Sequence, residues 1–361
     1  MLELNSGVTT KVEAIASHGL GPDADAAAPI MISDSEADLF IDALKEHRLA
    51  GAAVVCLIDG GISASSEVAN RIVSLHDDEM GRTMRSEIMA LRVSGTLTDA
   101  GVEHRLLQGA ALAHTVYSDP AARSFRIVDV LIPSRSMYRA VDLLVAEGAT
   151  RAKPELRAGY DQRFADSVTL RLNGRQIVLH RVFCPGPFGV WMKPNDLFVL
   201  RGVLDIANVD IPILNATDNL LHGCYYLALA QIEPALTNVR DVALLAGTTE
   251  NLGFDAGRFD QTVDRWRGRA VIRRAVRIVE RRLGFALPSE LSWYGKASVE
   301  KADLAAMEPY LVERERGRID ALAPATFRAL SMSDRAAYAL AVGLPDGTEP
   351  VSRIKEIFKR R

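Results

Sequence analysis

Asp129 lies in the run Phe125–Ile132 (FRIVDVLI), where every other residue but Arg126 is apolar. An acid in such a setting either pairs with a cation close by, here Arg123 or Arg126, or supplies oxygen to a hard metal ion. Arg123 has the chemistry for phosphate, because a guanidinium is always charged and its planar fork can bind two oxygens at once. Its alternative is a surface ion pair with Asp119. His180 could contact a phosphate or be a satisfied structural histidine, and His222, among apolar neighbours, reads as core. The strongest charge feature is Arg265, Arg267, Arg269, Arg273, Arg274, Arg277, Arg281 and Arg282. On a helix, Arg273, Arg277 and Arg281 align by fours. Such a face could hold an acidic peptide, a nucleotide tail or RNA, or be a solvated exterior. Only Trp266 interleaves it, so base stacking has little support.

These side chains need elements to position them. Ser33 or Asp34 caps a predicted helix with Leu39, Phe40, Ala43 and Leu44 on one face. A second helical region begins near Ser63, with an apolar stripe through Val68, Ile72 and Leu75 that continues to Met84, Ile88 and Leu91. At Gly101 the pattern changes. Val102–Leu107 predicts a strand, Ala110–Tyr117 a helix, and Phe125–Ile132 a strand stopped by Pro133. A helix capped by Ser134 or Ser136 and ended at Gly148 follows. Val168–Leu172 and Gln176–Val182 flank Asn173-Gly174, a hairpin signal. Beyond Pro212 the pattern is helical, with stripes Leu220/Leu221/Tyr225/Leu229, Val242/Leu244/Leu245 and Ile272/Val276/Val279/Leu283.

The predicted class is therefore α+β: a small mixed β-sheet core flanked by N-terminal and C-terminal helical regions. The expected boundaries are a flexible N-terminal arm and linker over 1–32, with GLGPDADAAA (Gly19–Ala28) as linker, and a helical region over 33–95. An α+β core over 96–200 and a helical domain over 201–361 complete the chain.

At 361 residues and 48% hydrophobic composition the chain can bury a substantial core. A net charge of −3 gives no general reason to expect nucleic acid or an acidic membrane as partner. The start shows no secretory leader, and the longest apolar stretch, Ala50–Ile58, is far short of the ~20 residues of a membrane helix. Cys56, Cys184 and Cys224 are few and scattered, which suits reduced thiols and a cytoplasmic location.

Four segments in order also carry a resemblance. Gly101-Val102 through Leu106-Leu107-Gln108-Gly109-Ala110 matches an "aGi…lLKGxA" pattern, and Tyr117-Ser118-Asp119-Pro120 with Arg123 matches "lYxdpxxR". The run from Arg123 to Pro133 matches "RxYxDvDvLVxP", and Ile177–Arg181 matches "vDLHR". Farther on, Leu220-Leu221-His222 and Asn238-Val239-Arg240-Asp241 are similar to "llHlxxH" and "kxxDL". Together they resemble a bacterial family described as uncharacterised nucleotidyltransferases, of the polymerase-β-like fold.

The resemblance implies attack of an acceptor on the α-phosphorus of ATP or another nucleoside triphosphate, assisted by Mg²⁺. The family's paired acids sit at i and i+2 of a strand, on one face, and a third comes from the neighbouring strand. In this chain those positions are Ile127, Asp129 and Val178, and Gln108 replaces the family's lysine. Ile127 and Val178 are thus degenerate, since they offer no lone pairs to a cation. Asp129 is left as the metal ligand and catalytic acid, and Asp119, Asp161 or Asp166 could be brought in by the fold. The nucleotide would meet Gln108, Gly109, Arg123, His180 and Arg181.

Two functions follow. In one, a nucleotidyl group passes to a small molecule or peptide, with Asp129 anchoring a single Mg²⁺–triphosphate. In the other, the chain is a catalytically inactive pseudo-nucleotidyltransferase that binds a nucleotide, a peptide or a protein partner.

Overall fold

The computed structural model describes residues 6–21, 28–229, 233–248, 253–284, 286–311 and 318–343. It is an α+β protein built on one mixed sheet. Helix α1 (Ser6–Ser17) opens the chain, and strand β1 (Ile30–Ile32) pairs in parallel with β2 (Ile62–Ala64). Between them lie α2 (Ala37–His47) and α3 (Ala50–Ile58). Over 6–17 the expected loose arm is instead a docked helix, because Val8, Val12, Ile15 and Ala16 recur at helical spacing and are buried. Most of the predicted linker, residues 22–27, lies outside the described residues. On α2 the predicted stripe holds at Phe40, Ala43 and Leu44, but Leu39 is exposed.

Helix α4 (Ser66–Asp99) is a single span of 34 residues, N-capped by the Ser65 hydroxyl accepting from the Val68 amide. Its buried stripe begins at Val68, Ile72 and Leu75 as predicted, then runs through Glu79, Thr83 and Ser86. Met84 and Ile88 point to solvent, contrary to expectation. The stripe turns polar where it crosses the segment that leads into the Asp129 strand. Thr83 accepts from the Phe125 amide at 3.2 Å, and Glu79 pairs with Arg126.

The sheet is formed by β3 (Arg105–Leu107), β4 (Ile127–Leu131), β5 (Thr150–Arg151), β6 (Ser167–Leu172), β7 (Arg175–His180), β8 (Gly202–Ile206) and β9 (Val209–Ile213), in the order β5-β6-β7-β4-β3-β9-β8. Helix α5 (Gly109–Ala113) follows β3, α6 (Met137–Ala146) follows β4, and α7 (Tyr160–Arg163) and α8 (Pro187–Trp191) flank the β6–β7 hairpin. That hairpin turns at Asn173 and Gly174, both with positive φ, as its sequence predicts. The sheet runs past the expected boundary at residue 200. Ala207-Asn208, again with positive φ at both positions, turns a second hairpin that supplies β8 and β9. Alternate residues divide the sheet. Val128, Val130, Ile177 and Leu179 are buried in one core, whereas Asp129 and His180 are half-buried.

The opposite layer is helical: α9 (Ala216–Leu229), α10 (Leu236–Gly247), α11 (Ala256–Arg265) and α12 (Arg269–Leu283), followed by α13 (Ser289–Ser292), α14 (Lys301–Leu311), α15 (Arg318–Ala329) and α16 (Met332–Gly343). The stripes predicted on α9 and α12 are buried, and α9, α10 and α12 pack on one another. Arg240 on α10 donates to the carbonyls of Ala16 and His18 at 2.8 and 2.6 Å, holding the C-terminal end of α1. The arginine run is largely engaged in intramolecular pairs: Arg265 with Asp196, Arg267 with Asp303, Arg269 with Asp264, and Arg282 with Glu13. Arg277 donates to the Gly295 carbonyl. Among the described residues no helix is long and apolar enough to cross a membrane.

Candidate functional site

Register fixes what stands beside Asp129. Val178 of β7 and Leu107 of β3 are its lateral partners, and Ile127 precedes it on the same face. The carboxylate is thus framed by three aliphatic side chains. His180, two residues along β7 from Val178, brings Nε2 to 2.8 Å from Asp129 Oδ1. Both side chains are about one-fifth exposed (His180 19%, Asp129 20%). The partners expected for the acid, Arg123 and Arg126, are engaged elsewhere. Arg126 reaches Glu79 on α4, and Arg123 turns into the interior.

Arg123 is 2% exposed. Its Nε and Nη2 donate to Asp241 of α10 at 2.9 and 2.8 Å, and Nη1 donates to the Ser124 carbonyl. Tyr117 adds its hydroxyl to the same carboxylate at 2.7 Å. Arg123 therefore spends its fork on a protein carboxylate, and neither the phosphate role nor the surface pair with Asp119 matches its position. Burial opposes the Arg123 charge, but Asp241 outweighs that and the guanidinium pKa is raised. The Tyr117 phenol is raised by burial and by the Asp241 charge.

Gln108 and Gly109 link β3 to α5 through a backbone few side chains adopt, with φ of 44° and 23°. A Cβ on Gly109 would lie 2.9 Å from the Phe125 ring, so only glycine fits this close approach. Gln108 faces the helical layer across a cavity of about 10 Å³ that Asn219, His222, Tyr226, Asn238 and Asp241 also line. That is room for about one water, far below the roughly 300–1,000 Å³ of a small-molecule site. Two buried acceptors there, Asn219 Oδ1 and Asn238 Oδ1, have no partner among the described residues. His222 is 3% exposed, with its ring against Phe183, and burial followed by the nearby His180 lowers its pKa to about 3. It is neutral at pH 7, as core. Burial raises the Tyr226 phenol, with Asp129 adding to the shift.

The other candidates lie apart. Arg181 donates from Nε to the Ala165 carbonyl at 2.7 Å and lines a different, larger cavity, not the one beside Gln108. Asp119 caps the turn before Arg123, Asp161 pairs with Arg151, and Asp166 accepts from Ser167. Among the described residues no three His, Cys, Asp or Glu side chains group closely enough to hold a metal ion.

The family model for uncharacterised nucleotidyltransferases matches residues 33–284, from the turn before α2 to the end of α12. The chain belongs to this family. No curated protein matches it. The family motifs thereby acquire a structural meaning. Tyr117 and Arg123 from one motif meet Asp241 from another, tying the sheet to the helical layer. Sequence reasoning left Tyr117 and Asp241 without a role and passed over Asn219 and Tyr226. The available signal was polar residues on the otherwise apolar faces of α9 and α10.

The donor set does not fit Mg²⁺ with a nucleotide. A hard cation asks for several oxygen ligands. Asp129 provides one carboxylate, already bonded to an imidazole, between aliphatic side chains.

Proposed function

We propose that this member of the family keeps the nucleotidyltransferase fold as a binding module and has given up metal-dependent nucleotidyl transfer. The observation that carries this reading is the Asp129–His180 hydrogen bond in an aliphatic frame of Ile127, Leu107 and Val178. An acid paired with imidazole is stabilised without a metal, and two-metal stabilisation of the attacking and leaving oxygens needs carboxylates that do not gather there among the described residues. The locked Arg123 supports the same reading, because the guanidinium best suited to phosphate is used to fasten α10.

The test is direct. Protein incubated with Mg²⁺ and α-labelled ATP or GTP should transfer no label to itself, to peptides or to small-molecule acceptors. Label transfer that Asp129→Asn abolishes would overturn the proposal. It would favour the second reading, in which Asp129 anchors one Mg²⁺–triphosphate and a nucleotidyl group passes to a small molecule or peptide. That reading draws on one observation, the partial exposure of Asp129.

A further inference from the structure

The larger cavity, about 510 Å³, lies between the family core and the C-terminal helices α15 and α16. It falls within the usual range for small-molecule sites. Its floor comes from residues within 33–284, but Ala329, Leu330, Ser331 and Asp334 close it from outside the family match. It is therefore a feature of this chain's extension, and its use is independent of whether the Asp129 face turns anything over.

Its cations are fixed yet incompletely used. Arg163 donates Nε and Nη2 to Asp334, and Arg267 donates Nε and Nη2 to Asp303, which leaves Nη1 of each without a hydrogen bond among the described residues. Among the described residues Arg265 uses only Nη1, on Asp196, and the Arg181 guanidinium only Nε, on the Ala165 carbonyl. The Lys193 ammonium has no hydrogen bond or ion pair among the described residues, and the residue is exposed. The Arg267 guanidinium is further held at 4.2 Å over the Trp191 ring. Among the described residues five cations line the cavity against one carboxylate, that of Asp334. Arg181 is set in by burial that lowers its pKa, with Asp166 only partly compensating. Guanidinia pinned by one edge and open at the other are preorganised for an oxyanion with several acceptor oxygens. Val190, Trp191 and Leu330 supply an apolar wall beside them.

We propose that this cavity binds a small organic phosphate, its phosphoryl group taken by Arg181, Lys193 and the free guanidinium edges, its body resting against Val190, Trp191 and Leu330. A phosphoryl dianion has three oxygens for these donors, where a carboxylate has two.

Titration calorimetry on the full chain at low ionic strength tests this with phenyl phosphate as probe. Phenyl phosphate should bind at one site per chain, more tightly than inorganic phosphate or benzoate, and phenol should give no signal. Arg181→Gln with Lys193→Gln should weaken phenyl phosphate by about tenfold or more. Lys193→Gln alone, at an exposed position that does not endanger folding, should weaken it measurably. Arg71→Gln, which removes a cation at a remote surface pair, should leave it unchanged. The proposal is overturned if phenyl phosphate does not bind or the Lys193 and Arg181 variants bind as the parent does. Equal affinity for benzoate or for inorganic phosphate would overturn it as well.

Discussion

Asp241 meets Arg123 from 118 residues away in sequence, and their fork-to-fork pair is the buried joint between the sheet side of the molecule and its helical layer. Both partners are almost wholly enclosed (2% and 7% exposed), so neither can fall back on water if the other is lost. Arg123→Met or Asp241→Asn should each destabilise the protein by about 3–5 kcal/mol, because each leaves one buried polar group without its charge partner. Changing both to apolar residues of similar size should cost clearly less than the sum of the two. Urea denaturation of the three variants measures this, and additive losses would show that the two residues do not act as a pair.

Tyr117 offers a smaller and cleaner test of the same joint. Tyr117→Phe removes one hydrogen bond to a buried carboxylate without changing the ring volume. A loss of about 1.5–3 kcal/mol is expected, the range for hydrogen bonds to charged groups. In the Asp241→Leu background the same change should cost little. A full loss there would mean that the hydroxyl serves some other partner.

His222 carries a pH signature. Burial lowers its pKa from 6.5 to about 3, so between those values the unfolded chain binds a proton that the folded chain refuses. Stability therefore rises with pH across that window and is lost on acidification, by about 2–3 kcal/mol from this group between pH 6.5 and 4.5. His47 and His104, also lowered by burial, contribute with the same sign. His222→Phe keeps a ring against Phe183 and should flatten the acid limb by that amount. Unfolding free energies at pH 7 and pH 4.5 for parent and variant provide the check, and an unchanged slope would place the titration elsewhere.

What the sequence made legible follows from the range of the interactions involved. The β6–β7 hairpin is specified by two adjacent turn residues, and the stripes of α9 and α12 by local spacing, so each was readable from a short window. That Ile127 shares a strand face with Asp129 was also readable locally, because side chains two apart on a strand point the same way. Long-range choices were not readable. Nothing near Arg123 in sequence says that its partner sits on α10, and Met84 and Ile88 continue an apolar rhythm that the helix abandons to let Glu79 and Thr83 meet Arg126 and Phe125. The helix α1 was missed for the opposite reason: its stripe is clear, but the flexible composition after it suggested an undocked arm.

The turn between β3 and α5 should respond oppositely to two small changes. Gly109→Ala would press a methyl onto the Phe125 ring and impose a side chain at φ of 23°, for a cost of about 2 kcal/mol or more. Gln108→Gly instead relieves a residue held at φ of 44° and ψ of −140°, and should be neutral or stabilising by about 1 kcal/mol despite the added freedom of the unfolded chain. Thermal unfolding of both variants distinguishes them. Destabilisation by Gln108→Gly would mean that the glutamine side chain, at the wall of the small cavity, contributes more than its backbone costs.

Placing acids on either side of Asp129 tests the proposed absence of metal chemistry. Ile127→Asp with Val178→Asp puts two carboxylates beside Asp129, one two residues before it on the same strand and one directly opposite across the β4–β7 pairing. Three like charges so close repel in the absence of a cation, so the double variant should be less stable than the parent, and Mg²⁺ or Mn²⁺ should recover part of the loss. His180 complicates this, because its bond to Asp129 competes with any metal for the same oxygen. Adding His180→Gln should therefore increase the metal-dependent rise in Tm beyond that of the double variant. The parent should show no such rise. If Mg²⁺ stabilises the parent as much as the restored variants, the aliphatic frame around Asp129 is not what separates this chain from a metal-binding one.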